Sequence, residues 1–548
     1  RPRRFGKTLT MSTLRRFLEI DFQNPGDTSR QQELFRGLKV MDDREFCEEH
    51  MGRYPVVSVS LKSADGVAYD DAFERLAGVI SRLAWNFSWL DGPDLTEKEH
   101  VFLDRLSDFD YLRQPAGRGF AEQSLVFLCR LLRKCFGDSH KPVLLIDEYD
   151  VPLQKAAAGG YYEPMNRLVG TMLNRALMDR DDICKVILTG CLPATGEAIF
   201  TGVNGLCIDT VLARGNGLSA AIGFTPAEAR AMLGYYGFGD LYEKAAGWYG
   251  GYSIGGEALF CPWDITSHVR ELCRSRDPAA VRPKSHWNLT SSSNFIAGFM
   301  PRLAQEDAEC LQDLIAGRSI SLPAYKGMSY GTLDFNNLRS SEFWNILIYT
   351  GYLTLSGTGS GGANELRIPN KEILRYFRDN ISGYYRNTWS REYDTLVRGL
   401  MERLLSGDSG GAEDSMSALL GGFVPLEENA PKAPHGDFYR SFLDSLFAAA
   451  EHSISDCRVL YGSGFAEITF RSAGGTMAVV IRIEYAPDST AGLHTLADRA
   501  LEHLEENVCA KALLSQTKIT HIAECGMAFR GRSCAVSCRE LLPETPGA

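Results

Sequence analysis

Gly6, Lys7 and Thr8 stand in a row near the head of the chain, and these three residue types together can grip a phosphate. A loop that opens a helix aims backbone N–H groups at an anion, and a glycine lets the backbone come close. Lysine neutralises phosphate oxygens, and a threonine hydroxyl ligates Mg²⁺. The triplet is the second half of the pattern G-x-x-x-x-G-K-[ST], whose first glycine falls on Arg1. Further along, the apolar run Val143–Ile146 ends in Asp147 and Glu148. An aspartate there can hold the water shell of Mg²⁺, and the glutamate can orient or deprotonate an attacking water. Polar residues also collect wherever a buried strand surfaces. The ordered set carries the nucleotide-site reading: loop, acidic strand end, then a third run, Lys185–Leu188, closing in Thr189-Gly190.

Such residues need a sheet to hold them. Met11, Leu14 and Leu18 keep the spacing of one apolar helical stripe directly after the loop. From Thr8 to about Thr210, strand-like runs alternate with helical patterns, among them Val56–Leu61 and a helix through Leu125, Leu128 and Leu132 ending at Gly137. That alternation predicts an α/β sheet with crossovers. Val143–Ile146 and Lys185–Leu188 are expected as parallel neighbours, with Lys7 meeting Asp147 at their C-terminal edge. A phosphate loop also needs a strand feeding it. The chain opens on Arg1 with nothing ahead of the loop, so the expectation is a fragment whose first strand is missing.

Beyond this region, Thr225-Pro226-Ala227-Glu228 is a capping box that starts a helix. The aromatic segments Trp248–Tyr252 and Cys261–Trp263 read as core and corner packing. Gly357–Gly362 fits a dinucleotide-loop pattern but lies between two strand-like runs, which makes it a hairpin loop. Ser406–Gly411 is a small-residue break near a domain boundary. Near the C-terminus, strands are expected over 464–470 and 477–484, a helix from about 495 to 512, and a last strand pair near 518–523 and 526–529.

At 548 residues the chain is too long for one core. Its 44% hydrophobic and 23% charged content is that of an ordinary globular protein. A net charge of −11 excludes a surface basic throughout, though not a local basic groove. No apolar run approaches the length of a membrane span. The fourteen cysteines are scattered without a C-x-x-C pair, and Cys129, Cys135 and Cys184 fall in apolar segments as buried free thiols do. That pattern predicts a reducing compartment, the cytoplasm.

Taken together, the chain resembles bacterial AAA-ATPase-like proteins that carry a C-terminal nuclease-like domain of the PD-(D/E)XK superfamily. The resemblance is carried by Arg1–Thr8, Leu145–Asp150, Ile199–Asn204, Thr350–Thr354 and Ile368–Glu372. It implies an α/β P-loop NTPase parallel sheet (first strand missing), a helical lid and a winged-helix-like unit, then an α/β restriction-endonuclease-like domain. The implied boundaries are 1–215 for the core, 216–280 for the lid, 281–400 for the winged-helix-like region, 401–425 for a linker and 426–548 for the nuclease-like domain. ATP and Mg²⁺ are the implied ligands: Arg4, Gly6, Lys7 and Thr8 for the nucleotide, Thr8 and Asp147 for the metal, and Glu148 as the base. DNA or a protein partner at the two C-terminal regions and oligomer formation are left open.

Two departures bear on activity. Where the family shows T-G-x-x-R-x-x-K, Pro193 and Gly196 replace the two cations, which puts fast turnover in question. In the nuclease-like half, Glu467 can stand for the first acid, but the E-x-K positions read Arg482-Ile483-Glu484. One reading is an inactive nuclease fold kept for packing or binding. The other is a rearranged site in which Glu467 and Glu484 hold metal beside Arg482. For the whole chain, a slow ATPase and a non-hydrolysing ATP-dependent switch both stand as expectations.

Overall fold

Val143-Leu144-Leu145-Ile146 is apolar without alternation, the mark of a strand covered on both faces. In the computed structural model these residues form the centre of a parallel sheet. The structure describes residues 1–90, 95–179, 181–192, 203, 206–213, 218–286, 299, 305–315, 317–323, 330–333, 338–358, 362–423, 439, 443, 446–447, 467–471, 476–485, 492–505, 519–530 and 533–541. They fall into two units: 1–283 with 323–355, and 284–322 with 356–548. The stretch expected as one winged-helix-like region, 281–400, contributes to both.

In the first unit, strand β1 (Val56–Ser60) pairs in parallel with β2 (Val143–Asp147), and β2 with β3 (Lys185–Leu188). Leu144, Leu145 and Ile146 have no exposed surface, and burying each such side chain stabilises the fold by roughly 1.5–3 kcal/mol. β3 and β1 are the two edges of the described sheet; the apolar residues of β3 are only half-buried, whereas Val56, Val57 and Val59 on β1 are covered. Helix α1 (Lys7–Leu18) lays Met11, Leu14 and Leu18 against Val56, Val143, Leu145 and Ile187, as the spacing predicts. Helix α2 (Tyr69–Trp85) and helix α3 (Arg118–Phe136) fill the crossover between β1 and β2. Gly137, with φ 80°, ends α3. Helices α4 (Val151–Gly159) and α5 (Tyr162–Met178) lead from β2 to β3.

The Thr225 box caps helix α6 (Pro226–Tyr235), followed by α7 (Tyr242–Tyr249), the hairpin of β4 (Tyr252–Ile254) with β5 (Glu257–Leu259), and α8 (Pro262–Arg274). Tyr249 and Tyr252 are buried as expected of packing aromatics, whereas Trp263 is 46% exposed.

In the second unit, β6 (Ile320–Leu322) pairs antiparallel with Asn364–Arg367. Strands β7 (Thr354–Thr358), whose first two residues are counted with the first unit, and β8 (Asn364–Arg367) flank the glycine run at 357–362. A strand follows the glycines, so they are no dinucleotide loop. Expected linker 401–425 is mostly helix: α9 spans Lys371–Leu405 and α10 spans Ser409–Phe423. The reason is apolar periodicity. Leu400, Met401 and Leu404 on α9 and Ala412, Met416 and Leu419 on α10 are fully buried. The Ser406–Asp408 break is the turn between them.

The C-terminal sheet has the order β12-β11-β10-β9, from β9 (Glu467–Arg471), β10 (Met477–Tyr485), β11 (His521–Arg530) and β12 (Ser533–Leu541). Strands β10 and β11 are parallel, and the outer pairings are antiparallel. Helix α11 (Leu493–Glu505) covers one face and α9 with α10 the other. The strand pair expected at 518–523 and 526–529 is instead the single strand β11, and β12 went unread. Glu524 and Cys525, expected to separate the two strands, continue β11. Gly526 sits in mid-strand because a Cβ there would lie 2.1 Å from the Ala497 carbonyl oxygen on α11. The expected start of β9 at 464 and the end of the last helix at 512 lie outside the described residues. Cys129 is buried, but Cys135 and Cys184 are exposed, contrary to their apolar setting in sequence. Among the described residues no helix is long and apolar enough to cross a membrane.

Candidate functional site

The loop before α1 is shaped by two left-handed backbone positions. Gly6, at φ 94°, is the N-cap residue, and Arg4 adopts φ 67°. Only glycine takes the first without strain, and a non-glycine residue in the second costs of order 1 kcal/mol or more. Among the described residues no side chain caps α1, and no acid lies in its first turn, so the dipole at this end favours an anion.

Lys7 is 5% exposed, and its Nζ donates to the carbonyls of Arg1 (3.1 Å) and Pro2 (2.9 Å) and to Cys191 Sγ (3.2 Å). It is thus folded back over its own loop. Thr8 Oγ1 donates to Asp147 Oδ2 at 2.7 Å, joining the loop to the end of β2. Thr189, at the exit of β3, donates its hydroxyl to Asp147 Oδ1. Both oxygens of one buried carboxylate are therefore held by hydroxyls from two different elements.

Glu148 is half-buried with φ 52°, another left-handed position outside glycine. Burial pushes its carboxyl up; Lys7 and Lys62 pull it back, while Asp147 and Asp150 push it further. Its neighbour Asp150 is 1% exposed, and its Oδ2 accepts from the backbone N–H groups of Cys191 (2.9 Å) and Leu192 (3.0 Å) and from the Tyr330 hydroxyl (3.2 Å). Asp150 thereby fixes the segment leaving β3 against the acidic strand end. Pro193 and Gly196 lie outside the described residues, as does most of Ile199–Asn204.

Arg1, standing where the pattern has glycine, is an anchor. Its Nη2 pairs with Asp209 Oδ2 (2.7 Å) and donates to the carbonyls of Leu218 (2.9 Å) and Ser219 (3.2 Å). Phe5 is 1% exposed and meets Tyr252 edge-on at 5.0 Å between centroids, while the Arg4 guanidinium lies 5.7 Å from the Trp263 ring centroid. The aromatic segments thus clamp the loop from behind. Sequence reading gave them only a packing role, counted Thr189 only as part of a strand end and gave Asp150 no role of its own. Their signal was the position next to a strand end. A cleft of about 610 Å³ runs from Lys7 along β3 between Met11, Leu14, Ile208 and Ile222.

In the second unit, β9 and β10 place Glu467 and Arg482 as direct Cα partners. Arg482 and Glu484, two apart, share the strand face that turns to α11. Arg482 is buried; Glu484 is half-buried, with Oε1 3.6 Å from His503 Nδ1 on α11. The Glu467 side chain lies outside the description. Two further charges on this sheet were missed: buried Glu524 on β11 accepts from Arg539 Nε on β12 at 2.7 Å.

Residues 1–200 match the AAA-ATPase-like family, described as predicted AAA-ATPase. That match supports an ATP-binding, ATPase-like function for the stretch that contains Gly6, Lys7, Asp147 and Glu148. An uncharacterized protein in vnfD 5'region of Azotobacter chroococcum mcd 1 is 25% identical over 460 residues, covering 82% of this chain and 75% of that protein.

Proposed function

We propose that the first unit binds and slowly hydrolyses ATP at the junction of the Gly6–Thr8 loop with Asp147 and Glu148. The observation that carries this reading is the Thr8–Asp147 hydrogen bond, which joins two motifs 139 residues apart into one polar site. The residues suit a hard cation: a hydroxyl and a carboxylate at 2.7 Å are both oxygen donors. Thr8 and Asp147 would hold Mg²⁺, whose charge would offset that on the phosphate oxygens. Gly6 and the open N-terminus of α1 would bind phosphate, with Arg4 beside them. Lys7 would exchange its carbonyl partners for phosphate oxygens. Glu148, its carboxyl pushed up by burial, would accept the proton of the attacking water. Thr189 orients Asp147, and Asp150 holds the β3 exit in place.

Residues 216–280 would act as a lid, and the second unit as an inactive PD-(D/E)XK-like fold that docks DNA or a protein. In support, buried Arg482 stands at a position where an active site needs a carboxylate, and a guanidinium cannot ligate Mg²⁺. Glu148→Gln tests the hydrolytic reading. Phosphate release over multiple turnovers should fall about 100-fold or more while ATP binding persists. ATP-dependent docking without turnover in the unmodified protein would establish the switch instead.

A further inference from the structure

We propose that Cys525 and Cys538 form a redox-active dithiol that hydroperoxides convert to a cross-strand disulfide. The two residues are direct partners in the antiparallel register of β11 and β12. Opposed Cα atoms in such a ladder lie about 4.5 or 5.5 Å apart, according to the type of pair. Both values fall within the range of about 4.4–6.8 Å that disulfides span. No movement of the strands is needed to close the bond.

The two sulfurs are not equivalent. Cys525 is fully buried beneath α9, with its Sγ 3.9 Å from the Leu404 carbonyl oxygen. Cys538 is only partly buried at the margin of the same core, on β12, the edge strand of the described sheet, and so keeps more surface open to a small oxidant than Cys525. Its backbone N–H donates to Ser409 Oγ at 2.9 Å, at the first residue of α10. Burial holds the Cys525 thiol far up. Donation from the Cys525 S–H and from the Ser409 hydroxyl brings Cys538 down. Cys538 is therefore the nucleophile and Cys525 the resolving thiol. Cys534 lies on the same strand face as Cys538 but opposite Phe529, four residues or roughly 13 Å away, and does not compete for Cys525.

The reaction balances in two steps. The Cys538 thiolate attacks one oxygen of hydrogen peroxide. An S–O bond forms as the O–O bond breaks, and the departing hydroxide takes a proton to become water. The Cys525 sulfur then attacks the sulfenic sulfur, forming S–S as S–O breaks, and a second water leaves with the Cys525 proton. Two thiols are oxidised by one peroxide.

The test treats the reduced full chain with hydrogen peroxide, blocks remaining thiols with a maleimide, and maps the digest by mass spectrometry. The expected product is a Cys525–Cys538 linked peptide that dithiothreitol dissolves. Cys525→Ser should leave Cys538 as a sulfenic acid that captures dimedone. If Cys135 and Cys184 oxidise while Cys525 and Cys538 are both recovered as thiols, the proposal is overturned. Cys538 linked to any other cysteine overturns it equally. The mapping on the unmodified chain decides the matter even where a variant folds poorly.

Discussion

Glu148 shows how one residue serves folding and chemistry in opposite senses. Its carboxyl is pushed up by burial, so the folded state favours its protonated form. Stability from that protonation is present below the ordinary carboxylate pKa and is lost as pH rises through the raised value. Glu148→Gln should therefore raise the melting temperature at neutral pH by more than at pH 4, as read by thermal denaturation at both values. Hydrolysis should carry the mirror image: an acid limb above the ordinary carboxylate range, absent from the residual activity of the variant. Asp150 illustrates a different economy. Asp150→Ala would leave the N–H groups of Cys191 and Leu192 unpaired, each costing about 1–3 kcal/mol where no water replaces the carboxylate. Urea denaturation should register that loss. Residue types alone disclosed Lys7, Thr8 and Asp147, because phosphate and metal chemistry restricts them. The contacts of Asp150 and Thr189 were not legible, because they depend on which groups the β2–β3 pairing brings near.

At the scale of elements, β1, β2, β3 and α1 were readable because their patterns are strong. They have valine-rich or unbroken apolar runs, or a clean three-and-four stripe. At residues 524 and 525 the reading divided one strand into two, where buried Glu524 is held by Arg539 of β12, a partner that no local pattern discloses. Gly526→Ala should destabilise the second unit by roughly 1–3 kcal/mol, because the new methyl meets backbone atoms of Ala497 and Leu501 that cannot swing aside. A denaturation midpoint equal to that of the unmodified protein would mean that α11 yields easily. Stretch 401–425 misled as well. Its serines and glycines gather at the turn and, as Ser417 and Gly421, on the exposed face of α10, while the buried stripe of Met416, Leu419 and Leu420 is short.

For the whole molecule, two units with separate cores predict more than one unfolding transition. ATP with Mg²⁺ should shift only the transition of the unit that holds Lys7 and Asp147. The size should approach about 2.7 kcal/mol at a hundredfold excess over the dissociation constant. The measurement that bears most directly on the central claim is this ligand shift, compared between the unmodified protein and Lys7→Ala by differential scanning calorimetry. With the phosphate site at Gly6–Thr8, Mg²⁺–ATP raises the melting temperature of the first unit, and the substitution abolishes the rise. An equal rise in Lys7→Ala would contradict the account.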